Sequence, residues 1–191
     1  MSWWKRAVAG AFLALAVLGG GVALWAVMPE PAEFDPAPLL EAAQRYQVRI
    51  LRDEFGVPHI YGKTDADVAY GLGFAHSEDD FATIQTVLLA TRGRLARVEG
   101  LAAAPIDYMA RLMGVWKLVE ARYQTDLAPE TRAIAEAYAV GFNHYAALHP
   151  EQVLPGVIPV TGKDLVAGFA DVFVDGLKTP RTIRSRKGSS R

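Results

Sequence analysis

Hydrophobic and polar positions change period along this chain, and each change marks an element. The first apolar stretch has no period: Ala7 to Met28 is uncharged throughout and follows Lys5 and Arg6. Its 22 residues amount to about 33 Å of helix, enough to cross a hydrocarbon core. Pro29 to Pro38 then carries four prolines and reads as an extended linker. A short helix is expected over Leu39 to Tyr46. Val48 and Ile50 alternate with Gln47, Arg49 and Leu51, the pattern of a strand. Glu54 to Pro58 is a turn, and His59-Ile60-Tyr61 returns as a second strand.

After Gly62 the period becomes helical. Thr64-x-x-Asp67 has the form of a capping box, and Asp65 and Asp67 suit the positive end of a helix dipole. Ser77-x-x-Asp80 offers a second helix start. From it Phe81, Ile84, Val87 and Leu88 fall on one face, and Gly93 ends the run. Ile106 to Tyr123 is predicted helical, with Gly114 as a weak point. Pro129-Glu130 opens a stronger helix whose stripe is Ile134, Tyr138, Gly141, Phe142, Tyr145 and Leu148. Lys163 to Leu177 reads as one more apolar helix. The expected fold is mainly α, a short β-hairpin followed by four or five helices.

Composition narrows the function. Lys and Arg number 20 against 21 Asp and Glu, a formal net charge of -1, so nothing points to a nucleic-acid partner. The absence of Cys excludes disulfides, thiolate zinc sites and a cysteine nucleophile. The cations ahead of the apolar run orient the chain with its N-terminus in the cytoplasm and the remainder exported. Residues 1–28 are therefore a signal peptide or an uncleaved membrane anchor acting through residues 7–28. The absence of a clean small-x-small site before Pro29 tilts the choice toward the anchor. Residues 29–38 form the linker, 39–177 the folded domain, and 178–191 a basic Ser/Arg tail too polar to pack. The location that follows is periplasmic, or membrane-anchored facing the periplasm or exterior.

No self-contained active site is visible. His59, His76, His144 and His149 show no metal-ligand spacing, and no nucleophile elbow, P-loop or dinucleotide fingerprint occurs. Glu78-Asp79-Asp80 reads as acid at a helix start more readily than as a cation site, which needs oxygen ligands from elsewhere. His59 is a general base or a hydrogen-bonded structural residue, and His76 suits an ion pair or cap.

Ile50-Leu51-Arg52-Asp53-Glu54-Phe55-Gly56-Val57-Pro58-His59-Ile60-Tyr61 resembles the opening signature of the penicillin amidase family. That family includes penicillin, cephalosporin and acyl-homoserine lactone acylases. Thr64 to Asp67 and then Tyr70-Gly71-Leu72-Gly73-Phe74-Ala75-His76-Ser77-Glu78-Asp79-Asp80-Phe81 resemble its next block, a helix with a glycine-rich turn. Gln85, Arg92 to Ala96 and Glu99-Gly100 extend the likeness, which runs from about Val48 to Phe173. Asp79-Asp80 stands where the family often has Asp-Arg.

The resemblance implies a four-layer αββα N-terminal-nucleophile hydrolase, of which these residues form the α-subunit part, incomplete alone. It implies a β-chain partner whose N-terminal Ser attacks the amide, with that residue's own amine as base, and N-acylated small molecules as substrates. No catalytic residue, cofactor or metal ligand is then expected in this chain. Counting from Asp164, the acyl pocket's positions fall on Phe173 and Leu177. The family's calcium-binding Glu falls on Ile183, which cannot coordinate calcium. Gly188-Ser189 is a relic of the processing junction or a chance pair in a Ser/Arg tail. Two rival readings stand beside this one: a non-catalytic, membrane-anchored helical binding module, and an inactive fragment of a gene interrupted near Asp175.

Overall fold

A computed structural model describes the backbone of residues 35–178 and the side chains of residues 35–170. The apolar run at 7–28, the linker residues 29–34 and the tail from 179 onward lie outside the described residues. Among the described residues no helix is long and apolar enough to cross a membrane.

The chain is mainly helical with one two-stranded sheet. Helix α1 (Ala37–Ala43) precedes strands β1 (Val48–Arg52) and β2 (Pro58–Gly62). Then come α2 (Asp65–Thr91), the short α3 (Ala96–Glu99), α4 (Ala104–Met113), α5 (Val115–Asp126), α6 (Pro129–Leu148) and α7 (Gly162–Lys178). Helix α1 starts inside the expected proline linker because Pro38 occupies its first turn, where a missing N–H costs nothing. The hairpin is antiparallel, with Ile50 opposite Ile60 and Leu51 opposite His59. Asp53 shapes its turn: Oδ1 accepts from the N–H groups of Phe55 and Val57 at 2.9 and 3.0 Å, and Gly56 supplies φ +81°.

The expected capping box is present. Thr64 Oγ1 accepts from Asp67 N at 3.1 Å, while Asp67 Oδ2 accepts from Thr64 N at 3.1 Å. Asp67 Oδ1 also accepts from Gln47 N at 2.8 Å. That bond, followed by those from Thr64, holds its carboxyl below the usual carboxylate range.

The second helix start differs from expectation. Helix α2 kinks at Asp80, whose φ of -155° and ψ of 59° are non-helical. Asp80, three residues after the expected start at Ser77, turns its carboxylate to Thr83 N at 3.4 Å. Ser77 instead donates back to the Gly73 carbonyl at 2.8 Å and is buried. Helix count also exceeds expectation, because Gly93, Gly100 and Gly114 all adopt positive φ and break the middle of the chain into α3, α4 and α5.

Helices α2 and α6 form the centre. They cross backbone to backbone at Gly73, where the resemblance implies a glycine-rich turn, and at Gly141, which lies inside the expected helix. A Cβ on Gly73 would stand 2.2 Å from the Tyr138 carbonyl oxygen, and one on Gly141 would stand 2.0 Å from that of Tyr70. The face of α6 that packs is correspondingly small: Ala135, Ala139, Phe142 and Ala146 are buried, whereas Ile134 and Leu148 of the expected stripe are exposed. Phe142 and Leu89 anchor the larger cluster with Phe81, Val157 and Val160. The hairpin docks beside it, with Val48 and Ile60 closing on Gly71.

Candidate functional site

The candidate site is the start of α7, the helix that carries both expected pocket positions. Its N-terminus is fixed from three directions. Asp164 Oδ2 accepts from Thr161 N at 2.8 Å and from Thr161 Oγ1 at 2.9 Å, a local cap. Asp164 Oδ1 accepts from Arg92 Nε at 2.6 Å. Arg92 closes α2, and its fork also donates to the carbonyls of Gly156, Val157 and Pro159 at 3.0, 2.6 and 3.0 Å. The Asp164 side chain is 1% exposed and that of Arg92 10%. Both members of a desolvated pair are thus saturated with partners, as burial requires. From α6, Asn143 donates to the Val160 carbonyl at 2.7 Å and accepts from Val160 N at 2.9 Å. Gln85 of α2 holds the same loop upstream, between Gln152 O and Leu154 N.

Two cavities flank this anchor. One of about 330 Å³ is bounded by Arg92, Arg94, Trp116, Ile158, Pro159 and Asp164. The other, about 320 Å³, lies against Tyr123, Glu136, Val140, Gly162 and Lys163. Burial, reinforced by the Glu136 carboxylate, pushes the Tyr123 hydroxyl up to about 12. Beyond its first turn, α7 packs Ala167, with Val166 and Ala170, on Val115, Val119 and Tyr123 of α5. Phe169 points away from that contact and is 67% exposed. Positions 173 and 177 follow it at i+4 and i+8, on the same register of the helix. Helix α7 contains Phe173 and Leu177, but their side chains lie outside the described residues.

The other candidates take simpler places. His59 Nε2 lies 3.1 Å from Asp53 Oδ2 in an exposed contact that ties the second strand to the turn. Among the described residues His76 has neither the ion pair nor the cap expected of it; its Nδ1 meets the Tyr138 hydroxyl at 3.1 Å, one helix crossing away. His144 Nδ1 meets the Tyr70 hydroxyl at 2.6 Å, and burial lowers the imidazole's pKa. Glu78 and Asp79 both pair with Arg52, at 2.9 and 2.8 Å, joining hairpin to kink. Among the described residues, the Ser and Thr hydroxyls with hydrogen bonds donate to carbonyls or to Asp, and no acidic or His cluster is arranged for a metal.

Arg92 and Asp164 both enter through the family resemblance, Arg92 in its Arg92 to Ala96 block and Asp164 as the position from which the pocket is counted. Their pairing spans 72 residues and left no local signal. Phe169 belongs to no motif; its i+4 and i+8 spacing to 173 and 177 is the one signal the sequence carries for it.

The arrangement is thus a hairpin docked on crossed helices with a strapped final helix. A solved structure of a thermostable penicillin G acylase from Alcaligenes faecalis superposes with a TM-score of 0.60 at 23% identity, over 70% of this chain and 76% of that one. The penicillin amidase family profile matches residues 47–170, and the chain belongs to that family. Among curated relatives, the penicillin acylase 2 proenzyme of Pseudomonas sp. is 32% identical over 52% of this chain. An acyl-homoserine lactone acylase of Pseudomonas syringae is 32% identical over 73%, and the Escherichia coli penicillin G acylase 29% over 62%. The chain spans only 12–18% of the length of the curated relatives it matches.

Proposed function

We propose that this chain is the α portion of an exported acylase that hydrolyses the amide bond of an N-acylated small molecule, a β-lactam, an acyl-homoserine lactone or a related compound. The observation that carries the reading is the family match over 47–170, within which the hairpin signature, the glycine crossing and the strapped start of α7 all fall. In this reading the domain completes an αββα sandwich with a β portion. The β portion supplies an N-terminal Ser whose hydroxyl is activated by its own amine, and donors for the tetrahedral oxyanion. The role of the described residues is positioning. Arg92, Asn143 and Asp164 fix the start of α7 so that Phe173 and Leu177, with Phe169 one turn earlier, border the acyl group. Holding such a wall rigid matters because small misplacements of a substrate are costly in rate.

The test is hydrolysis. The chain is produced alone and together with the segment of its own genome that matches the remaining length of these relatives. Both preparations are assayed on phenylacetyl amides and on N-acyl-homoserine lactones of several chain lengths. Turnover by the pair and none by the chain alone is expected. Turnover by the chain alone, or none by a correctly processed pair, overturns the proposal.

A further inference from the structure

Helix α4 is built inside out. Its polar side chains face the body: Asp107 accepts from Leu95 N at 2.7 Å and from Ala96 N at 3.0 Å, and Arg111 donates to the Gly93 carbonyl at 2.8 Å. Asp107 and Arg111 are one turn apart and use the α2–α3 corner as their anchor. The apolar positions Tyr108, Met109 and Leu112 form a helical stripe on the solvent side, Tyr108 and Leu112 being 65% and 64% exposed. No residue of α4 is buried. Leu101, at 88%, and Leu118, at 56%, are further exposed leucines just before and after α4 in the chain. An amphipathic helix normally turns this stripe to the core, and an exposed patch of this kind marks a contact surface.

We infer that this stripe is the docking face for the β portion of the same acylase, an inference that rests on the function proposed above. More than four-fifths of each curated relative has no counterpart in the matched segment, so a large polypeptide is available to cover it. The chemistry suits a protein surface that is itself apolar. The charged residues of α4 itself, Asp107 and Arg111, bond to the α2–α3 corner, and the stripe positions Tyr108, Met109 and Leu112 carry no charge. Tyr and Met are residue types favoured at protein–protein contacts. Inward polar anchoring also sets the helix's rotation, because turning Leu112 toward the body would strip two backbone N–H groups and one carbonyl of their partners.

The tagged 191-residue chain is co-expressed with the genomic segment that matches the rest of the relatives. Two variants accompany it: Tyr108→Glu/Met109→Glu/Leu112→Glu on the stripe, and Val87→Glu, an exposed apolar position of α2. Co-purification by wild type and Val87→Glu, with at least a tenfold loss for the triple variant at unchanged circular dichroism, is expected. In wild type, amides of residues 101–118 gain hydrogen-exchange protection in the complex, which reads the same face even where the triple variant fails to fold. Undiminished capture by the triple variant, or no protection at 101–118, overturns the inference and leaves the acylase reading standing. Failure of wild type to capture the segment removes both. A stripe-dependent dimer in sedimentation, or stripe-dependent flotation with phosphatidylglycerol vesicles in place of segment capture, assigns the face to another occupant and overturns it as well.

Discussion

Helices α6 and α4 are both amphipathic, and they solve opposite problems. Helix α6 turns its small residues to α2, so that Gly141 and Ala139 let two backbones meet and Phe142 fill what remains. Helix α4 turns Asp107 and Arg111 to the body and leaves Tyr108 and Leu112 in solvent. The first is covered by contacts within the chain, whereas the second leaves its apolar stripe exposed. The difference teaches that amphipathicity alone names two faces and does not say which is inside. Orientation comes from the available partners: open backbone N–H groups at Leu95 and Ala96 draw a carboxylate inward where no apolar surface competes.

The covered half should break hardest where burial and charge coincide. Replacing Arg92 by Met leaves the Asp164 carboxylate, 1% exposed, without its cation, and also frees three loop carbonyls. The expected loss is about 3–5 kcal/mol, the usual cost of orphaning one member of a buried pair. Chemical denaturation should show it as a fall in midpoint, accompanied by loosening of residues 153–164 in hydrogen exchange. A loss below about 1 kcal/mol would mean that the pair is more hydrated than its contacts imply.

Next in size is the glycine crossing. Gly141→Ala gains helix propensity worth about 1 kcal/mol. It also places a methyl 2.0 Å from the Tyr70 carbonyl oxygen and 2.9 Å from Phe74 N, both of them backbone. Backbone cannot rotate away, so α2 and α6 must separate, and overpacking of this kind costs roughly 1–3 kcal/mol or more. The clash outweighs the propensity, and a lower melting temperature is expected. A rise would show that the two helices are free to part.

Much of the covered half was legible. The capping box at Thr64 and Asp67, the hairpin alternation and the caging of Phe142 follow from periods and end signals that act over a few residues. The rest depended on distant pairs. Nothing local distinguishes Asp80 from Ser77 as the cap of the second α2 segment, because both are good cap residues; Ser77 is removed from contention by its bond to Gly73 and its burial. The alanine face of α6 was read as its aromatic edge, since alanine contributes little to a hydrophobic stripe until a glycine opposite lets it close. For the candidate site, the resemblance marks Asp164, but its pairing with Arg92, 72 residues away, needs the fold. The inverted α4 was beyond sequence reading altogether, since its apolar stripe looks like that of any core helix.

The exposed half should respond less, and locally. Asp107→Ala removes the acceptor for Leu95 N and Ala96 N. Loss of a paired acceptor for two partly buried donors costs roughly 1–2 kcal/mol. Because α4 buries no residue of its own, the loss should appear as faster amide exchange across 95–113, with α2 and α6 unchanged. Equal acceleration in α2 would join the two halves into one cooperative unit.

The smallest effect is the most informative. Leu112→Ala removes a large apolar side chain that is 64% exposed, and in the chain alone it should change stability by no more than about 0.5 kcal/mol, as surface substitutions do. The same replacement at Leu89, fully buried beside Phe142, should cost about 2–5 kcal/mol. The two leucines therefore separate the halves on a single scale, residue type held constant. If Leu112→Ala approaches the Leu89 value in the isolated chain, the stripe is already covered by its own polypeptide, and α4 is not waiting for a partner. If the two values stay apart alone and Leu112→Ala becomes costly only with the β portion present, the difference between them measures how much of this fold is completed in the complex.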